Sequence, residues 1–248
     1  LSGDANGQAD FGDDITLLME VKNVGSVNAN NVTATLSTEC EYITITDNTA
    51  SFGTINGNQS VTSTDSFSFT VSDSVPDMTT ALFLLTCTDG TDTWTSKFSV
   101  TLHAPQLVIT EMVIDDTAGN GNGCVEPGET ITVHFIGLNE GSSNAPETVF
   151  ALFSNLSEIT FNETQVNLGL VEAGESFQCG LTFTLSENAE YGVAYMLPIS
   201  VYSGNYITDD YLVFSVGKVM EGFETGDFSA FDWMHGNATT AWEVIPQN

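Results

Sequence analysis

The chain matches itself. Displaced by 116 positions, "GDDITLLMEVKNVGSVNANNVTATLS" falls on "GETITVHFIGLNEGSSNAPETVFALF", with Asp13 on Glu129, Asn23 on Asn139, Gly25 on Gly141 and Asn28 on Asn144. Further on, "SFGTINGNQS" overlays "NLGLVEAGES", with Gly53 on Gly169. After a two-residue contraction, "FSFTVSD" meets "LTFTLSE" and Gly90 meets Gly204. A fixed period of this kind means that one structural unit is built twice. Each copy then has to bury its own apolar face.

Within each copy the apolar residues alternate. Ile15, Leu17, Met19 and Val21 share one face, and Val32, Ala34 and Leu36 form the next inner set. Phe67, Phe69 and Val71 follow, then Phe83, Leu85 and Cys87, then Trp94, Phe98, Val100 and Leu102. Period two is the signature of half-buried strands, and clusters of Gly, Asn, Asp and Ser punctuate them. The chain is therefore expected to be all-β, with two tandem immunoglobulin-like antiparallel β-sandwiches. The Cys…Trp…Cys pattern of antibody domains is missing, so the likeness concerns architecture. Pro105 cannot donate to a ladder and marks the join. The expected boundaries are 1–105 for the first sandwich and 106–217 for the second. Residues 218–248 change character and are expected to be the truncated start of a further β domain, or a docked tail, without a core of their own.

Charge narrows the partners. Lys and Arg total 3 against 33 Asp and Glu, a net charge of −30. Nucleic-acid binding needs cations that displace phosphate counterions, and an anionic membrane repels such a chain. Neither is an expected partner. The apolar runs are too short to span a bilayer. Leu1 is followed at once by polar, Gly-rich sequence, so an internal piece or a mature fragment is expected. Four cysteines allow three full pairings. Cys87 lies in an apolar alternating strand and reads as a buried free thiol, and the disulfide question stays open at this stage.

The most informative loop is "DDTAGNGNGCVEPGE", Asp115 to Glu129. It offers carboxylates, amides and glycines with almost nothing to bury. Ca2+ takes six to eight oxygens, and flexible Gly, Asn and Asp loops supply them. Measured against the EF-hand loop pattern, Asn120, Asn122, Gly123 and Glu129 take defined positions in the second copy, and Asp4, Asn6, Gly7 and Asp13 in the first. Both copies lack the first carboxylate, and no helix leads in. Asp115, Asp116 and Glu126 are the further candidate ligands in the second loop, and Asp10 and Asp14 in the first. Glu129 is the leading candidate because Asp13 keeps its charge. Calcium in the 115–129 loop is expected to stiffen the join between the two sandwiches. The competing reading is a solvated turn in which Asn and Gly tolerate positive φ.

Nothing in the sequence assembles a catalytic set. His103 lies at the join, His134 on the outer face of a strand beside Thr132, and His235 in the tail, and no Cys/His pair repeats between the copies. Carboxylates are too numerous to single out a glycosidase pair. The chain itself is expected to be non-catalytic.

Three stretches carry a family likeness. "DGTDTWTSKFSVTLHAP", "DDTAGNGNGCVEPGETITV" and "NVGSVNANNVTATLS" resemble the tandem immunoglobulin-like modules of large secreted Bacteroidetes surface proteins, found downstream of gingipain-like cysteine peptidase domains. "EGFETGDFSAFDW" resembles the opening of the jelly-roll adhesin-like domain of the same proteins. The resemblance implies a secreted or cell-surface location and a spacer role, accessory to a gingipain-like peptidase. Its partners would be neighbouring domains of the same polypeptide. The alternative is an adhesin-type module that binds glycan or a host surface protein through exposed aromatics, with Trp233 and Trp242 as ligand-binding candidates.

Overall fold

The computed structural model describes residues 6–217. The first half of the chain forms ten strands: β1 (Ala9–Asp10), β2 (Asp14–Leu17), β3 (Glu20–Lys22), β4 (Ala29–Thr38), β5 (Ile43–Asp47), β6 (Thr49–Ile55), β7 (Ser60–Thr62), β8 (Phe67–Val71), β9 (Thr79–Thr88) and β10 (Thr93–His103). The second half adds β11 (Leu107–Asp115), β12 (Thr130–Asn139), β13 (Ala145–Leu152), β14 (Ile159–Phe161), β15 (Gln165–Val171), β16 (Ser176–Leu185), β17 (Ala194–Ser203) and β18 (Tyr206–Ser215). No helix occurs among the described residues, and the expected all-β, mainly antiparallel architecture is what the chain adopts.

The sheets explain the alternation. In the second half, β11-β12-β16-β14 and β15-β13-β17-β18 are two four-stranded sheets. In the first half, β1-β10-β9-β4-β6 faces the β2-β8-β5 sheet, with β3 and β7 paired beside it. Inward residues of each pair of sheets form one apolar cluster. One runs from Ala9 to Ala104, with Phe67, Phe69 and Phe83 at its centre. The other runs from Leu107 to Val216 around Phe135, Phe150 and Phe183. Phenylalanines fill both because large rings bury the most apolar area per ordered residue.

The duplication extends to backbone detail. Ile15 pairs with Phe69 on β8, and Ile131 pairs with Phe183 on β16. Val32 faces Gly53 through a bulge, and Thr148 faces Gly169 through the same bulge. The left-handed residue within that bulge is Asn31 (φ 53°) in one half and Glu147 (φ 52°) in the other. A parallel contact joins Ala9 to Leu102 in the first half and Val125 to Val216 in the second. One strand breaks the correspondence: β11 has no counterpart among the described residues of the first half.

Candidate functional site: the acidic loops and the joint between the halves

Each acidic loop is wired by the same hydrogen bonds. Asn122 Oδ1 accepts from the Cys124 amide at 2.8 Å, as Asn6 Oδ1 accepts from Gln8 at 2.7 Å. Asn122 Nδ2 donates to Glu126 Oε2, as Asn6 Nδ2 donates to Asp10 Oδ2. The Glu126 amide donates to Glu129 Oε2 at 2.8 Å, as the Asp10 amide donates to Asp13 Oδ2 at 3.1 Å. The Asx turn at the asparagine and the carboxylate four residues past the loop's apolar bridge fold the chain back on itself.

In the second loop the carboxylates are drawn inward. Asp116 and Glu129 are both buried. Asp116 Oδ2 accepts from the amides of Gly123 (2.7 Å) and Cys124 (3.2 Å), and Glu129 Oε1 accepts from Asn120 (2.9 Å). Asn120 and Asn122 both donate side-chain amides to Glu126. Gly119 is required here, because a Cβ would stand 2.5 Å from the Glu129 side chain. Asp115 points elsewhere: hydrogen bonds from Thr117 hold its carboxyl below the usual range, and His134 lies 3.5 Å away. The structure therefore brings Asp116, Asn120, Asn122, Glu126 and Glu129 together and leaves Asp115 outside. No group of three or more His, Cys, Asp or Glu side chains is arranged to hold a metal among the described residues. In the first loop Asp10 Oδ1 is buried without a hydrogen-bond partner, while Asn6 and Asp13 are engaged. Asp4, Trp233 and Trp242 lie outside the described residues, as does the expected tail segment 218–248.

The position of the second loop differs from expectation. It does not touch the join. Strand β11 leaves the join at Leu107, opposite Asn139, and reaches the loop at Asp115, opposite Thr132. Nine extended residues span about 30 Å. The loop sits at the far end of the second half, where the Gly217 amide donates to Val125 O. A cation there cannot stiffen the join. The loop that does reach the join is the first one: the Phe11 amide donates to His103 O, and the Phe11 ring meets Tyr206 edge-on at 5.0 Å.

The join is built from residues that the sequence did not mark. Asp77, in the turn between β8 and β9, accepts from the Ala104 amide through Oδ1 (2.9 Å) and from the Ser142 amide through Oδ2 (3.1 Å). Ser142 Oγ donates to the same carboxylate and lies 2.6 Å from His103 Nδ1. Tyr206 reaches from the second half into the first core, and its hydroxyl donates to Val75 O at 3.0 Å. Burial, reinforced by Asp73 and Asp77, pushes that phenol above its usual range, so it stays a donor. Asn139 ties the linker down: Oδ1 accepts from Gln106 and Gly141, and Nδ2 faces the carbonyls of Ser143, Val171 and Glu172. Gly141 has no room for a Cβ, which would meet Ala104 O at 2.4 Å.

Ser142, His103 and Asp77 share the composition of a nucleophilic triad but not its wiring. In a triad the imidazole stands between hydroxyl and carboxylate and relays the proton. Here the hydroxyl stands in the middle and gives its proton to Asp77. The carboxylate cannot orient His103 as a base. The arrangement is a latch between the halves.

All four cysteines stand as free thiols in the structure. Burial pushes the Cys179 thiol up to about 11.

No protein-family model and no curated protein sequence matches the chain. Solved structures with similarity include the C-terminal domain of the antigen I/II polypeptide BspA of Streptococcus agalactiae. It has 9% identity, 84% of this chain and 95% of that one covered, and a TM-score of 0.43. The C-terminal domain of the Streptococcus pyogenes antigen I/II-family protein AspA gives 8% identity, 84% and 94% coverage, and a TM-score of 0.46. Red sea bream transglutaminase gives 16% identity over 86% of this chain and 30% of its own, with a TM-score of 0.34. Both streptococcal neighbours are C-terminal domains of antigen I/II-family proteins. At these scores the likeness carries no argument about activity or ligand.

Proposed function

We propose that the chain is a non-catalytic spacer and interaction region of a secreted or cell-surface protein, with immunoglobulin-like modules over 1–105 and 106–217. It would hold neighbouring domains of the same polypeptide, a gingipain-like peptidase domain among them, at a set distance. The observation that carries this reading is the latch at Asp77. One carboxylate binds the backbone of both halves, and Tyr206 plugs the first core from the second. A joint so wired transmits orientation, which a flexible Gly/Ser linker does not. The test is small-angle scattering on the full chain and on the double variant Asp77→Ala/Tyr206→Ala. One narrow size distribution is expected for the wild type and a broader one for the variant. A broad wild-type distribution overturns the stiff-spacer reading.

A second reading is recognition of a glycan or a host protein through exposed aromatics. Trp94 favours it: the ring is 45% exposed at the mouth of an open groove. Calcium at the acidic loops belongs to the same proposal. Its support is Asp10 Oδ1, a buried carboxylate oxygen without a donor, in a loop that also holds Asn6 and Asp13. Melting in millimolar calcium against chelator, in wild type and Asp10→Asn, decides this. Equal midpoints in all four samples, at constant ionic strength, remove calcium from the reading.

A further inference from the structure

The first acidic loop stands at the joint, and it carries a buried carboxylate oxygen without a donor. Asp10 is 6% exposed, and its Oδ1 meets no hydrogen-bond partner. Keeping such an oxygen away from water is costly, and folded chains seldom do so without a role for it. The repeat supplies the contrast. The counterpart of Asp10 is Glu126, which is partly exposed and takes two side-chain amides, from Asn120 and Asn122. Asp10 takes one, from Asn6, and takes it through Oδ2. The Asp10 amide holds the Asp13 carboxylate beside it. These are hard oxygen ligands on a short, glycine-containing loop, the kind of set that calcium takes.

What this loop touches decides what an ion in it can do. Strand β1 lies parallel to the end of β10, with Asp10 opposite His103. The next residue, Phe11, donates its amide to His103 O and sets its ring edge-on to Tyr206. His103 is therefore held from both halves. The first loop holds its backbone, and Ser142 Oγ lies 2.6 Å from its Nδ1. Tyr206 is held likewise, with its ring against Phe11 and its hydroxyl on Val75 O. Strand β1 is only two residues long. A ladder that short does little to fix its own place, so the set of the loop governs where Phe11 stands.

We propose that calcium in the first acidic loop, bound through Asp10, clamps the joint between the halves by way of Phe11, His103 and Tyr206. The proposal rests on the calcium reading of that loop and adds what the ion controls. Asp10 Oδ1 is the anchoring ligand, with Asn6 and Asp13 held beside it. Fixing the loop fixes Phe11, and Phe11 then holds Tyr206 and the backbone of His103 in their places across the joint. The ion and the closed joint favour each other, and that coupling is reciprocal: whatever opens the joint weakens calcium binding by the factor with which calcium closes it. The second loop has no such reach, because its bridge from Val125 to Val216 lies at the far end of its own half.

The test uses the full chain and two readouts. Calorimetric titration with calcium reports binding. Hydrogen exchange at the Phe11 amide, bonded to His103, and at the Ser142 amide, bonded to Asp77 across the joint, reports closure. Extracellular modules bind calcium at about 10⁻⁴ to 10⁻³ M, so exchange is compared in about 5 mM calcium, in magnesium at the same concentration and in chelator, at constant ionic strength. Calcium should slow both amides by about fivefold or more, and magnesium should not. Asp10→Asn should lose one bound calcium together with the slowing, and Asn6→Ala makes the same comparison if Asp10→Asn fails to fold. Tyr206→Ala should bind calcium more weakly and keep the slowing at Phe11 but lose it at Ser142. Binding that depends on Asp10 with unchanged exchange at Ser142 overturns the clamp and leaves the calcium reading standing. Absence of such binding removes both. Slowing that persists in Asp10→Asn assigns the effect to the second loop, and equal slowing by magnesium assigns it to general charge neutralisation; either overturns the proposal. An unaltered calcium response in Tyr206→Ala overturns it too.

Discussion

Asn139 shows what one buried amide can do at a chain crossing. It is 0% exposed, and every polar atom of its side chain meets backbone of the linker or of the turn after β15. Removing it leaves buried amides and carbonyls without partners, and that desolvation is the costly part. Asn139→Ala should lower stability by about 2–4 kcal/mol. Its counterpart Asn23 makes the equivalent bonds to Val27, Ile55 and Gly25 in a more open turn. Asn23→Ala should cost about 1 kcal/mol, because water replaces the lost partners. Urea midpoints of the two variants give the comparison, and equal costs would remove burial as the cause. Cys179 gives a pH dependence. Its thiol keeps its proton up to about 11, against an ordinary value of 9.0. The unfolded chain releases that proton first, so stability falls as pH rises from 9 toward 11. The fall measured between these values should be shallower in Cys179→Ala.

At the scale of the element, the repeat supplies its own controls. The turn between β8 and β9 carries Met78 in the left-handed region (φ 60°), and the matching turn between β16 and β17 carries Gly192 (φ 81°). A side chain in that region costs about 1 kcal/mol relative to glycine, and Met78 is exposed, so it gains little from packing. Met78→Gly should stabilise the first half by up to about 1 kcal/mol, and Gly192→Met should destabilise the second by at least that much. Thermal melts of both variants check the pair of signs. The bulge in β4 and β13 is retained as a unit for a related reason. It re-aims Val32 and Thr148 inward, so shifting the register would expose the strand's apolar face.

For the whole molecule, charge is the dominant long-range quantity. Three lysines against 33 carboxylates leave a net charge of −30, which opposes compaction. The cores and ladders hold the fold against that repulsion, and salt should relieve it. Raising NaCl from about 20 mM to about 500 mM shortens the screening length from roughly 20 Å to roughly 4 Å. The melting temperature should rise by several degrees. A fall would mean that specific ion pairs, not general repulsion, set the balance.

The sequence by itself determined the architecture. Period-two alternation and matched glycines specify strands, their inward faces and the duplication, because these depend on neighbours along the chain. They also located the acidic loops and most of their internal bonding partners, since Asx turns and carboxylate caps are local. What the tertiary structure decided is where those loops stand. Loop 115–129 lies a strand's length from the join, while the first loop touches it through Phe11. Only the structure brought Asp77, Ser142 and Tyr206 together, across separations that no local pattern encodes.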